Sequence, residues 1–361
     1  MRSVIAIILT TILVSSAIGY SADIANAPQE NEYQENISEI IEENSVSEMP
    51  EEQVDAEVED NSITMTFVGD CMLASYKNEF KSGGWRDYLN NNDPSYFLEK
   101  VKPIFERDDF TVVNLENVLT DRVLSPKKKD HNPAYWYYGP TSNMDILTSS
   151  SIEGASLANN HANDYGPQGF ADTVEAVGNN GIEYGHNDKT MYFEKNGFRI
   201  AVICHGLWNE WQADTIINKI KEESEKTDFQ IVFYHGGTER KHYPDTWRVK
   251  AEKKLVDAGA DLVIGNHPHV IQPMETYNGV EIIHSMGNFL FGGSLKPENR
   301  TIIYQFKITP NDNGWDFESE IIPCYVYSGS VNNYQPYPIP ENDENYQKVI
   351  DFMAGKIDSP V

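Results

Sequence analysis

The stretch AEKKLVDAGADLVIGNHPHV, residues 251–270, contains a whole structural unit. Trp247, Ala251 and Leu255 recur at intervals of one helical turn, so the spacing predicts a helix over 245–258 with one apolar face. Gly259 stands where a helix commonly stops. The apolar run 262–264 reads as a short buried strand, and the polar cluster GNHPH (265–269) begins where that run ends. A helix, then a strand, then a loop of potential ligands is the repeating element of an α/β domain, whose sites form at the carboxyl ends of strands.

Four further apolar runs, 63–68, 110–113, 155–157 and 231–234, run into clusters of the same kind. These are GDCML (69–73), NLEN (114–117), ANNHAND (158–164) and YHGG (234–237). The five clusters supply Asp70, Glu116, Asn160, His161, His235, His267 and His269, and one site assembled from five strand ends is the economical reading. Carboxylate, amide and imidazole donors suit hard or borderline divalent metals, and a two-metal site needs a carboxylate that can bridge ions about 3.5–4 Å apart. Ionised Asp70 and Glu116 at the ends of buried strands need a partner. By contrast, His131, His186 and His284 read as ordinary core or surface histidines. His205 and His242 lie near strand or loop ends, within reach of a substrate but outside the ligand set. Met72 reads as core packing. Asn288 in SMGNF is a turn residue or a donor to a neighbouring group, the turn being the simpler reading.

The pattern predicts helices over 94–107, 167–179 and 211–226 as well, with Pro94 and Pro167 in first turns. Asn196-Gly197 between two alternating runs predicts a hairpin over 191–204. After Gly279 the pattern is mainly strands, at 280–284, 302–308 and 315–322. Residues 329–341 read as a C-terminal wrap leading to a last helix near 345–354. The loop SPKKKDHNPAYWYYGP (125–140) combines Lys127, Lys128 and Lys129 with four aromatics. It is either a lip that attracts and stacks on an anionic chain or a solvated loop whose aromatics pack back on the domain.

With 361 residues and 40% hydrophobic content, the chain can bury one sizeable core and still carry an appendage. Residues 1–22 combine Arg2 with a short apolar stretch and small residues, which reads as an export signal or, if uncleaved, a membrane tether. Residues 23–61 hold fourteen Asp and Glu with no Lys or Arg, half of the net charge of −28. Such a run cannot bury enough apolar surface to order itself, so a disordered acidic spacer is expected, with the folded domain at 62–361. The acidity of both parts argues against nucleic acid as a partner. Three cysteines, Cys71, Cys204 and Cys324, imply no disulfide framework and read as small buried hydrophobes.

In order along residues 62–330, GD-x-ML, NLE, ANNH-x-x-DYG, H-x-G-x-E, DAGADLVIG-x-HPHV and SMGNFLF resemble the bacterial capsule-synthesis CapA family, the poly-γ-glutamate capsule domain. That family is related to the calcineurin-like metallophosphoesterases. The resemblance implies an α/β fold with a four-layer αββα sandwich of two mixed sheets flanked by helices. It implies one or two divalent ions (Mn, Zn, Fe or Ni). Asp70 would be the first ligand and Glu116 the bridge, Asn160, His235 and His267 would hold the second ion, and His269 would return to the first. Two positions depart from the phosphoesterase pattern: Met72 replaces a histidine, and Glu116 an aspartate. The first ion thus loses a nitrogen ligand, and a single ion at the second position is an alternative to two.

His161 is the candidate general acid and Asp164 the residue that orients its ring, with Lys127, Lys128, Lys129 and Glu239 as candidate substrate contacts. The leading expectation is an extracytoplasmic protein, secreted or tethered at the cell surface, that acts in synthesis, export or attachment of an anionic polymer such as poly-γ-glutamate. Its partners would be that polymer and membrane-bound capsule synthase subunits, with membrane contact only through the N-terminal segment. Alternatives are a secreted metallophosphoesterase acting on diesters and a non-catalytic polymer-binding scaffold.

Overall fold

The computed structural model of the chain describes residues 60–130, 133–312 and 314–361. The export segment, all but the last two residues of the acidic stretch, and His131 lie outside them. The domain is built on two mixed sheets. In the first, Ile63–Met72 is central. It runs parallel to Phe110–Leu115, which is followed outward by Gly154–Ser156 and Glu183–Gly185, all parallel. On its other side lie Thr301–Asn311, Gly314–Tyr325 and Tyr337–Pro338, all antiparallel, and Asn288–Phe291 pairs with its far end. The second sheet has Phe198–Gly206, Phe229–His235, Leu262–Asn266 and Val280–Met286 in parallel order, closed at its edges by antiparallel Met191–Lys195 and Ile271–Tyr277.

Strand alternation sorts the apolar side chains into layers. Met65, Phe67 and Val112 of the first sheet meet Ile231, Phe233 and Ile264 of the second in one core. On the outer face of the first sheet Val68, Val113 and Leu115 pack against Phe97, Phe105 and Val177, which lie on helical segments. Outside the second sheet Val232, Val263 and Ile282 pack against Ile216 and Ile220 of helix Glu210–Glu223 and Leu255 of helix Thr246–Asp257. Helix, sheet, sheet, helix is the expected four-layer order. Among the described residues no helix is long and apolar enough to cross a membrane.

Most expected elements form. The hairpin turns at Asn196 (φ 54°) and Gly197 (φ 78°), both left-handed, as a two-residue type I′ connection requires. The last helix spans Glu344–Met353. The expected helix over 94–107 does not form as one piece. A 3₁₀ turn, Pro94–Phe97, and a single α-turn, Lys102–Phe105, replace it, because Pro103 cannot donate an amide hydrogen bond inside a continuous helix. Helix Trp85–Asn91 and a small sheet of Ser75–Tyr76, Tyr137–Gly139 and Val118–Leu119 went unread in the sequence, being too short to show a period. All three cysteines are free and buried, and burial pushes the thiols of Cys71 and Cys204 up to about 12.

Candidate metal centre

Asp70 reaches the site through an irregularity in its strand. Phe67 pairs with Val112, but Asp70 pairs with Asn114, so three residues on one strand span two on the other. This bulge flips the alternation: Phe67 faces the inter-sheet core, and Asp70 points inward beside Asn114 where an unbroken register would turn it out. Gly69 sits within the bulge, and a Cβ there would collide with the carbonyl oxygen of Gly287. The same packing brings in Asn288, which pairs with Asp70.

Around Asp70 the side chains close in from both sheets. Asn114 Nδ2 donates to Asp70 Oδ1 at 2.8 Å and lies 2.9 Å from His235 Nδ1. His269 Nδ1 lies 3.0 Å from Asp70 Oδ2, and the amide of His267 donates to the same oxygen at 3.3 Å. His235 Nε2 stands 2.8 Å from Asn160 Oδ1, 3.0 Å from His267 Nδ1 and 3.4 Å from Glu116 Oε1. His267 and His269 hold φ of +97° and +58° in the turn after Leu262–Asn266. Left-handed backbone at two non-glycine residues costs on the order of 1–3 kcal/mol each, a strain that marks functional turns.

Two triads share Glu116. Ligand atoms of Asp70, Glu116 and His269 lie within 4.8 Å of one another, and so do those of Glu116, His235 and His267. A third group joins Glu239 to His267 and His269. Glu116 is fully buried, and neither of its carboxylate oxygens has a hydrogen-bond partner. A buried carboxylate whose oxygens accept no hydrogen bond is expensive, and a divalent cation is what this donor set would satisfy it with. The residues fit the ion. Burial works to raise the pKa of Glu116, but His269, His235 and His161 outweigh it and hold the carboxyl below its ordinary range. Burial and the neighbouring imidazoles hold His267 well below the usual histidine value, leaving a neutral ring able to ligate. Burial opposes protonation of His269, yet Glu116 and Asp70 raise its pKa to about 10, so in the absence of an ion a proton balances the carboxylates.

His161 stands at the rim with Nε2 4.0 Å from Glu116 Oε1. Asp164 Oδ2 accepts from its Nδ1 side at 2.7 Å and from the Tyr137 amide at 2.8 Å, and the Tyr137 ring meets the imidazole edge-on. All six expected ligand residues, together with His161 and Asp164, are therefore gathered into one place. Glu239 lines the cavity above it.

The lysines behave differently from the expectation of a substrate-facing lip. None lines the cavity. Lys127 is exposed, Lys128 pairs with exposed Asp130, and Lys129 turns inward to Asp164 Oδ1 at 2.5 Å. Buried Asp164 draws Lys129 in because an unpaired carboxylate there would cost more than ordering the side chain. The loop aromatics divide, with Trp136 folding back on the carbonyl of Lys127 while Tyr135 and Tyr137 line the cavity.

Met72 is buried against Ala74, Tyr137 and Phe291, as core packing requires. His284 is buried beside Glu252, and His205 Nδ1 lies 2.6 Å from the Gly206 carbonyl. His242 lines the cavity. Asn288 is more than a turn residue: its Oδ1 lies 3.0 Å from His269 Nδ1, and its Nδ2 donates to the His269 carbonyl. Asn114 was missed altogether, although it lies two residues before Glu116, the spacing that puts both on one strand face. Trp208, edge-on to His235 and His267, gave no sequence signal.

The profile of the family described as "Bacterial capsule synthesis protein PGA_cap" matches residues 64–293, which span every residue of this centre. The PGA biosynthesis protein CapA of Bacillus subtilis (strain 168) is 26% identical over 313 residues, covering 81% of this chain and 77% of that one. The capsule biosynthesis protein CapA of Bacillus anthracis is 27% identical over 300 residues, covering 75% and 69%. A probable polyglutamine synthesis accessory protein of Mycobacterium tuberculosis (strain ATCC 25618 / H37Rv) is 24% identical over 217 residues, covering 50% and 55%. With the matched profile extending over most of the sequence and carrying all five clusters, this chain belongs to the bacterial capsule synthesis protein family.

Proposed function

We propose that this chain acts outside the cytoplasm in the synthesis, export or attachment of poly-γ-glutamate, and that its buried centre is a metal-dependent hydrolase or transferase site working on the polymer's amide bonds. The observation that carries the reading is Glu116, a buried carboxylate with two unpartnered oxygens between two ligand triads. The printed names of the Bacillus relatives supply the polymer. Asp70, Glu116 and His269 would hold one ion, and Glu116, Asn160, His235 and His267 a second. When bound, a divalent ion lowers the pKa of a water to about 7 and stabilises negative charge at the attacked centre.

The chain's own residues supply the rest. Asp164 fixes the His161 ring through Nδ1, so that Nε2 faces the site from which a proton can pass to the leaving amine. Lys129 offsets the charge of Asp164, and the edge of Tyr137 shields the ring. Asn114 and Asn288 orient His235 and His269.

Metal analysis of the purified full chain, together with turnover of γ-linked glutamate oligomers in Mn²⁺, Zn²⁺, Ni²⁺ or Fe²⁺, tests this reading. His161→Ala should lower kcat by about 10²–10⁴-fold and leave the bound metal in place. A metal-free protein that still supports capsule formation in cells would sink the catalytic part. Turnover of phosphodiesters alone would replace the amide chemistry.

A further inference from the structure

The metal centre opens into a cavity of about 420 Å³, and a second cavity of about 580 Å³ lies beside it. The two share Gly293, Ser294 and Lys296. The floor between them is low for a steric reason. A Cβ on Gly292 would strike the Ala74 carbonyl and the Trp85 ring, and one on Gly293 would strike the Met72 sulfur. Gly292 and Gly293 therefore press their backbone onto the domain and raise no side chain there, leaving Ser294 and Lys296 as the side chains the two cavities share.

Cations mark the path across that floor. Arg240 lines the first cavity, Lys296 both and Lys81 the second. None of the three side chains has a hydrogen-bond or ion-pair partner among the described residues. Arg240 is also held in left-handed backbone (φ +59°), with its amide donating to the Pro268 carbonyl at 2.7 Å. The surrounding domain is acidic, so a polyanion is repelled except where such unpaired cations gather. Glu239 and Glu298 in the first cavity and Glu79 in the second add acceptors to the same walls. A chain that alternates carboxylates with amide N–H groups needs both kinds of partner.

We infer that the two cavities form one groove for an acidic polyamide, in which Arg240, Lys296 and Lys81 meet successive carboxylates and the second cavity holds the chain beyond the reacting bond. The substrate class rests on the function proposed above, whereas the groove rests on the cavities, their shared floor and the unpaired cations.

Fluorescence anisotropy with labelled γ-linked glutamate, as a dimer and as a long oligomer, tests the groove on the full chain. The long oligomer should bind more tightly than the dimer. Lys81→Glu and Lys296→Glu, both at exposed positions, should each weaken its binding about tenfold, with the loss growing as the oligomer lengthens. Lys348→Glu, the same charge change on the last helix and outside both cavities, should leave binding unaltered. Equal affinity for dimer and long oligomer, or an unchanged long-oligomer affinity in Lys81→Glu, would overturn the groove. Polygalacturonate of matched length binding equally well would overturn the polyamide assignment. Length-dependent, Lys81-sensitive binding by a protein that holds no metal would sink the proposed catalysis and leave the groove standing. Metal-dependent turnover without length dependence would do the reverse.

Discussion

One cluster of buried charge lies on the second sheet and another at the strand ends where the two sheets meet, and they are solved in opposite ways. On the helix-covered face of the second sheet, Glu252 Oε1 accepts from the Tyr234 hydroxyl and is ion-paired with Arg248 at 3.7 Å, while Oε2 lies 2.8 Å from His284 Nδ1. Arg248 also donates to the Gly236 carbonyl at 2.9 Å and to Gln272. That cluster carries its own cation. At the strand ends, Asp70 and Glu116 are equally buried, no Lys or Arg among the described residues is ion-paired to either, and neither carboxylate oxygen of Glu116 has a hydrogen-bond partner. The first arrangement locks helix Thr246–Asp257 to the sheet, and the second is balanced only by titratable imidazoles, which a divalent cation can replace. Buried charge by itself therefore identifies no site; what distinguishes this one is that no permanently charged Arg or Lys among the described residues pairs with Asp70 or Glu116.

Breaking the closed cluster should have the largest effect on folding. Arg248→Ala strands the Glu252 carboxylate and should cost about 3–5 kcal/mol, measured by urea unfolding of the metal-free protein. The open cluster should respond to ions instead. Adding Zn²⁺ or Mn²⁺ at about a hundred times Kd should stabilise the wild type by about 2.7 kcal/mol, and Glu116→Gln should abolish that gain. A metal-induced rise in Tm that survives Glu116→Gln would show that the ion binds elsewhere.

Smaller changes sharpen the contrast. Asn288→Ala frees the His269 ring and should lower metal affinity about 10–100-fold with little change in the stability of the metal-free protein, by calorimetric titration. The proton on His269 competes with the ion. Because the folded pKa of His269 is raised from 6.5 to about 10, its contribution to the stability of the metal-free protein is full below pH 6.5 and is lost as pH rises through about 10. Metal binding must release that proton, so apparent affinity should climb about tenfold per pH unit across this window. A flat affinity profile would remove His269 from the ligand set.

Much of this was legible before any coordinates. The runs that became Phe229–His235 and Leu262–Asn266 are apolar without interruption because helices cover one face and the other sheet covers the opposite one. That pattern located five strand ends, and the polar clusters there named Asp70, Glu116, Asn160, His161, His235, His267 and His269. The contacts of Asn288 and Lys129 could not be read from the sequence for a shared reason. Asn288 acts on a residue nineteen positions away, and Lys129 answers a carboxylate that only folding buries. Neither relation leaves a local period.

The sequence by itself determined the alternation of buried strands and helices, the chemical identity of the donors and their placement at strand ends, because burial and hydrogen-bonding demand act residue by residue along the chain. Only the tertiary structure decided that Asp70 turns inward through a bulge, that Glu116 joins two triads with no hydrogen bond to either carboxylate oxygen, and that Lys129 faces Asp164 while Lys296 remains free. Those outcomes depend on register and on which charges end up together at low dielectric, and both are set when the two sheets close on each other.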